Sequence, residues 1–150
     1  MKLKVNIKKL KDEAKLPSYG SEYAAGADVY ACIDSDVTIN PGETVLIPTG
    51  IAVELPLETV GLIYARSGLA SKKGLAPANK VGVIDCDYRG EVMVALHNHG
   101  AAEQTVSHGE RIAQMVVAEH KRVEWEDAKE LSQTARGEGG FGSTGLGEKR

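Results

Sequence analysis

Apolar residues in this chain recur at every second position in short runs, and almost every run stops at Gly, Pro or Asn. Alternation of this kind puts successive side chains on opposite faces of a half-buried strand. Leu3, Val5 and Ile7 alternate with Lys4 and Asn6, and Val37 and Ile39 run into the turn signal Asn40-Pro41-Gly42. Val45 to Pro48, Ile51 to Leu55, Val60 to Tyr64, Val81 to Ile84, Glu91 to His97, Gln104 to Val106 and Ile112 to Val117 extend the set to about ten strands. Only Ser67 to Lys73 and Asp127 to Leu131 suit a turn or two of helix. There is no βαβ alternation, so a Rossmann or P-loop fold is set aside in favour of an all-β sandwich or barrel-like domain.

The 150 residues suffice for one domain, and no internal repeat divides them. Residues 1–134 form the expected β domain. Residues 135–150 carry six glycines and cannot pack a core, so they are either a disordered tail or an arm that orders on a ligand. A net charge of -3 gives no global attraction to nucleic acid. The lysines at positions 2, 4, 8, 9 and 11 read as the solvated face of a strand. No apolar run approaches the roughly 18 residues of a membrane span, and MKLKVNIKKL lacks the apolar core of a secretory signal. The expected location is therefore cytoplasmic. Cys32 and Cys86 are too few and too unpatterned for a zinc site or a disulfide framework.

Chemistry-bearing residues concentrate in a few segments. In Gly82-Val83-Ile84-Asp85-Cys86-Asp87-Tyr88-Arg89-Gly90-Glu91 an apolar strand runs into two aspartates and a tyrosine, then turns at Gly90 towards a second strand. A hairpin tip of this kind exposes backbone groups that can read a flat base, a carboxylate that can polarise water, and a ring that can stack. On spacing alone, an ordinary hairpin with an acidic turn would serve equally well. Arg66, Ser67 and the backbone around Gly68 could cradle phosphate without a Walker sequence. Gln114 is polar within an apolar strand and needs a partner if buried. The segment Gly137 to Thr144 nearly matches a P-loop, but Ser143 stands where the lysine belongs and no strand-then-helix context surrounds it. Phe141, the chain's only phenylalanine, sits in this coreless stretch. His97 and His99 could share a strand face, but no third ligand completes a metal site, and a strand-end surface position suits them. Trp125 could anchor a subunit contact or cap the core.

Five segments in order resemble the five motifs of the homotrimeric dUTP pyrophosphatases (dUTPases): Ala25 to Tyr30, Ala65 to Ala70, Gly82 to Glu91, Gly109 to Val117 and Arg136 to Gly145. The resemblance spans most of the chain. One departure is Ala65, where the family commonly has proline. It implies a distorted jelly-roll-like β-barrel of the dUTPase β-clip type, with one short helix and a flexible glycine-rich carboxy-terminal arm. The implied activity is hydrolysis of dUTP to dUMP and pyrophosphate, which limits uracil incorporation into DNA and supplies dUMP for thymidylate synthesis.

The resemblance also implies roles. Asp85 activates the attacking water, and Asp28 holds waters of an Mg2+ ion that is bound mainly by the substrate phosphates. Arg66, Ser67, Gly68 and Gln114 contact phosphate or the water. Asn79, six residues before Asp85, reads uracil with the backbone of Val83, Ile84 and Asp85. Tyr88 stacks on deoxyribose and excludes a 2′-hydroxyl, while Met93 either lines the pocket or is plain core. Arg136 meets the γ-phosphate, Phe141 covers the base, and Gly142, Ser143 and Thr144 wrap the phosphate chain. Each site is expected to be shared among three subunits, with no direct nucleic-acid or membrane contact. A dCTP deaminase, or a bifunctional relative, shares the fold but lacks the glycine-rich arm. A non-catalytic module that kept the fold would be expected to lose Asp85, Gln114 or the arm.

Overall fold

The computed structural model describes residues 3–141. The strands are β1 (Asn6–Lys9), β2 (Ser18–Tyr19), β3 (Ala27–Tyr30), β4 (Val37–Ile39), β5 (Thr44–Pro48), β6 (Ile51–Glu54), β7 (Thr59–Tyr64), β8 (Leu75–Pro77), β9 (Val81–Ile84), β10 (Met93–Asn98), β11 (Gln104–Val106) and β12 (Arg111–Glu119). The one helix among the described residues, α1 (Ser67–Lys73), separates β7 from β8. The largest sheet has the order β2-β3-β12-β7-β9, and a three-stranded sheet has the order β5-β10-β8. The pairs β1-β6 and β11-β4 complete the architecture, and every pairing is antiparallel.

The fold is all-β with one short helix, as the alternation requires. The sheets are open, however, and do not close into a barrel among the described residues. The two largest sheets face one another across a single core. The five-stranded sheet turns Val29, Ile63, Ile84, Ala113 and Met115 inward, and the three-stranded sheet contributes Ile47, Leu75, Val94 and Leu96. Asn98 is fully buried and pins the edge of this core, with its amide donating to the carbonyls of Ile39 (2.9 Å) and Ala102 (2.8 Å). The turn before β5 forms as Asn40-Pro41-Gly42 dictates: Gly42 takes a positive φ of 76°, and Glu43 N–H closes onto Asn40 O at 3.0 Å.

Three differences from the sequence reading have physical causes. The expected helix at Asp127 to Leu131 does not form, because the segment is exposed throughout and a single turn without a packed face cannot offset nucleation. Strands β2, β3 and β8 are too short or too polar to show alternation. Gly82 to Glu91 is not a laddered hairpin: β9 pairs with β7, whereas β10 pairs with β5 and β8. The segment between them is a loop that crosses from one sheet to the other.

Candidate active site

Cross-strand register assembles the first half of the site. On the outer face of the five-stranded sheet, Asp28 of β3 lies opposite Gln114 of β12, which lies opposite Tyr64 of β7. The chain leaves β7 through Ala65 and Arg66 into α1, which carries Arg66 back over this row. Arg66 Nε donates to Asp28 Oδ1 at 2.6 Å, and Arg111 Nη1 reaches Asp28 Oδ2 at 3.3 Å. Asp28 is only 12% exposed at its side chain, against 27% for Arg66. One carboxylate between two guanidiniums leaves a local excess of one positive charge, which suits a polyanion. Gln114 Nε2 donates to Ala65 O at 2.8 Å, so the amide has a partner within the chain. Gly26 makes room for it, because a Cβ there would lie 3.0 Å from Gln114 Cδ.

Arg111 stands three residues from Gln114, and in a regular strand the two would face opposite ways. A register shift between Arg111 and Ala113 inserts a bulge and turns both to the same face.

The crossing loop builds the second half. Val83, Ile84, Asp85, Tyr88, Glu91, Val92 and Met93, with Leu46 from β5, line a cavity of about 300 Å³. Tyr88 N–H donates to Asp85 O at 3.1 Å, which turns the tip tightly. The Tyr88 hydroxyl donates to Glu91 O at 3.0 Å, folding the ring over Gly90, where any side chain would collide with it. Glu91 in turn accepts from Gly50 N–H at 2.7 Å and ties the loop's end to the start of β6. Asp85 is exposed at the rim, and Met93, 39% exposed, is a wall of the cavity and not plain core. A cavity of this size is at the small end of the range that takes small-molecule ligands.

Comparison with known proteins decides the family. The dUTPase family model matches residues 12–145. The chain belongs to the dUTPase family. It is therefore an enzyme that hydrolyses dUTP. It is 55% identical over 138 residues to the deoxyuridine 5'-triphosphate nucleotidohydrolase of Desulfitobacterium hafniense, covering 91% of each chain. It is 48% identical over 143 residues to that of Rickettsia felis, covering 95% of this chain and 97% of the relative. Among solved structures, a Staphylococcus bacteriophage 80alpha dUTPase with dUpNHpp superposes with a TM-score of 0.87 at 27% identity, over 95% of this chain and 99% of that one.

The other residues for which the resemblance implies a role in this member of the dUTPase family are spread more widely. Ser67 and Gly68 open α1 and are exposed, with no side-chain cap bond at the helix start. Asn79 is exposed at the entrance to β9; its amide nitrogen lies 3.2 Å from where a Gly82 side chain would be, and it does not line the cavity. Arg136 Nε donates to its own loop at Gly139 O (2.8 Å), and Phe141 is fully exposed, so neither meets the two halves within one chain. Gly142, Ser143 and Thr144 lie outside the described residues. Arg111, Leu46 and Glu91 join the site without having been singled out. Arg111 lies inside the fourth motif, but only the bulge reveals its direction. The His97 and His99 rings meet at a tilt of 60° with centroids 4.3 Å apart, and His97 Nδ1 is hydrogen-bonded to Thr44 Oγ1 at 2.8 Å. Among the described residues no group of three or more His, Cys, Asp or Glu could hold a metal, and no helix is long and apolar enough to cross a membrane.

Proposed function

We propose that Asp85 positions and deprotonates the water that attacks the α-phosphorus of dUTP in line, breaking the bond to the bridging oxygen and releasing dUMP and pyrophosphate. The observation that carries this reading is that Asp85 and Tyr88 stand together at the wall of one cavity of about 300 Å³. Uracil is read by the backbone of Val83 to Asp85 with Asn79, and Tyr88 packs on the deoxyribose and leaves no room for a 2′-hydroxyl. Cytosine presents the reversed donor and acceptor pattern and leaves buried groups unpaired, a sharper penalty than thymine's extra methyl. Arg66, Gln114 and Arg136 absorb charge developing on the phosphates, with Ser67 and Gly68 alongside. A general base is worth roughly 10²–10⁴-fold, so positioning and electrostatics carry most of the acceleration.

Mg2+ fits this chain only through water. Both Asp28 oxygens already accept from guanidiniums, and what lone-pair capacity remains suits hydrogen bonds from metal-bound water. Bound to the substrate phosphates, Mg2+ would neutralise negative charge there; Asp28 would orient its hydration shell.

A homotrimer with shared sites is supported by two features of the single chain. Leu62, Val83 and Val116 lie on the outer face of the five-stranded sheet, where Val83 is 61% exposed. Trp125 and Leu131 are also exposed, at 91% and 88%. In that assembly residues 135–150 close over a site, bringing Arg136, Phe141, Gly142, Ser143 and Thr144 to the substrate. The free thiols of Cys32 and Cys86 agree with a cytoplasmic location, and the net charge of -3 agrees with an enzyme that does not bind nucleic acid directly.

The test is pyrophosphate release from dUTP, dCTP, dTTP and UTP, with and without Mg2+, by wild type and Asp85→Asn. Turnover of dUTP alone, abolished in Asp85→Asn with nucleotide binding retained, is the expected result. Full activity in Asp85→Asn would refute the mechanism.

A further inference from the structure

We propose that Arg89 is a positioning residue for the reaction. It sets the shape of the Asp85–Tyr88 tip as the inner member of an Asn6–Glu54–Arg89 chain. The inference rests on the roles proposed for Asp85 and Tyr88.

The tip needs an external tie. It joins strands of two different sheets, so no ladder fixes its shape, and Asp85, Asp87, Tyr88 and Arg89 are all exposed. Arg89 supplies one from the side away from the Asp85–Tyr88 cavity. Its Nη1 donates to two carbonyls of the tip, Cys86 O at 2.7 Å and Tyr88 O at 3.1 Å. Its Nη2 reaches Glu54 Oε1 at 3.3 Å, at the end of β6. Glu54 Oε2 accepts from Asn6 Nδ2 at 2.8 Å, and Asn6 is the register partner of Glu54 in the β1-β6 pair. One planar fork thus clamps a flanking carbonyl of the tip, and that of Tyr88 itself, to the edge of a two-stranded sheet. Lysine, a point charge on a flexible stem, cannot reproduce this geometry.

Two further observations separate positioning from substrate contact and from bulk stability. Arg89 is absent from the lining of the Asp85–Tyr88 cavity and instead lines a second cavity of about 440 Å³, with Asn6, Glu54 and Cys86. The Arg89 and Glu54 side chains are 54% and 53% exposed, and ion pairs so exposed add little to stability. What the pair supplies is direction. Because Tyr88 carries the sugar discrimination, loosening the brace degrades rate and 2′-hydroxyl rejection together, while base reading by the β9 backbone persists.

The experiment compares full-length wild type, Arg89→Met, Arg89→Lys, Glu54→Gln and Asp85→Asn, measuring kcat and KM for dUTP and UTP together with thermal melting. Arg89→Met is expected to lower kcat on dUTP about tenfold, since small misplacements of catalytic groups are costly, and to raise the UTP-to-dUTP ratio of kcat/KM. Arg89→Lys recovers little, and Glu54→Gln moves both quantities in the same direction by less. Adding Glu54→Gln to Arg89→Met has no further effect, because the two act as one unit. An Arg89→Met enzyme with wild-type kcat and sugar selectivity overturns the proposal. So does a rate loss that tracks the melting temperature with selectivity unchanged. If Arg89→Met does not fold, Glu54→Gln decides, and an unchanged selectivity there overturns the brace. A wild type inactive on dUTP, or an active Asp85→Asn, defeats the underlying functional reading as well; a dead Asp85→Asn beside a normal Arg89→Met defeats the brace alone.

Discussion

Replacing Gly26 with alanine adds one methyl group and is expected to disable the enzyme through Gln114. The backbone at Gly26 is not in the left-handed region, so alanine introduces no conformational strain of its own. A Cβ built there lies 3.0 Å from Gln114 Cδ and 3.2 Å from Gln114 Cβ, and meets Oε1 more closely still, whereas ordinary contacts begin at 3.4 Å. The conflict reaches the Gln114 Cβ, so rotating the amide end alone cannot relieve it. The side chain must withdraw by roughly 1 Å, and a displacement of that size can cost about 10²-fold in rate when the group positions a reacting atom. That corresponds to about 2.7 kcal/mol of barrier. The withdrawal also stretches the 2.8 Å bond from Gln114 Nε2 to Ala65 O. A hydrogen bond of this kind is worth about 1 kcal/mol net, so melting should fall by only roughly 2–4 °C. Pyrophosphate release under saturating dUTP measures the first effect and a thermal melt the second. The decisive comparison uses the Gln114→Ala background, where the obstruction is gone and Gly26→Ala should have no further effect. Wild-type turnover in Gly26→Ala, or an equal loss in both backgrounds, would refute the steric argument.

Two other outcomes follow from the geometry. Asp28→Asn removes the charge that separates Arg66 from Arg111; breaking a fully buried pair costs about 3–5 kcal/mol. The partial exposure of both arginines reduces this to roughly 1–3 kcal/mol, and about 2 kcal/mol lowers melting by roughly 4–8 °C. KM for dUTP should rise as the guanidiniums reorient, and an unchanged melt and KM would contradict the hub role. Glu54 should titrate below the ordinary glutamate value of 4.5, first because Asn6 donates to it and then because Arg89 lies beside it. A depressed folded-state value means its contribution is present above the unfolded value and is lost as pH falls through the folded one. An NMR titration should show the low midpoint, and Asn6→Ala should raise it; a midpoint of 4.5 in both proteins would remove the link.

How much of this was legible beforehand varies with the kind of feature. Alternation located β4, β5, β6, β7, β9, β10, β11 and β12 well, because each has an apolar face that must be buried. It missed β3, whose Ala-Asp-Val-Tyr carries a buried aspartate on the face opposite the core. It also misjudged the partners of β9. Proximity in sequence suggests that β9 and β10 pair, but Val83 lies opposite Leu62 of β7, and the intervening loop spans two sheets. That the sheets stay open among the described residues was equally invisible to alternation, which reports the faces of a strand and not its neighbours.

The site shows a further limit. The family resemblance named Asp28, Arg66, Asp85, Tyr88 and Gln114, and the fold gathers Asp28, Arg66 and Gln114 into a cation-rich row and Asp85 and Tyr88 at the wall of one cavity. The resemblance, however, implies for Asp28 only that it holds the metal's water. The structure first makes it the acceptor for two guanidiniums, one of them delivered by a bulge that no spacing rule anticipates. An aspartate whose oxygens are already engaged shapes the positive field and has little capacity left for a direct metal bond. The same reasoning explains Arg89. In the sequence it is one charge in an acidic turn, and only the distances to Cys86 O, Tyr88 O and Glu54 turn it into a brace. Motifs name which groups can do chemistry. Which lone pairs and donors remain free to do it depends on contacts across the sheets, and those are set by register.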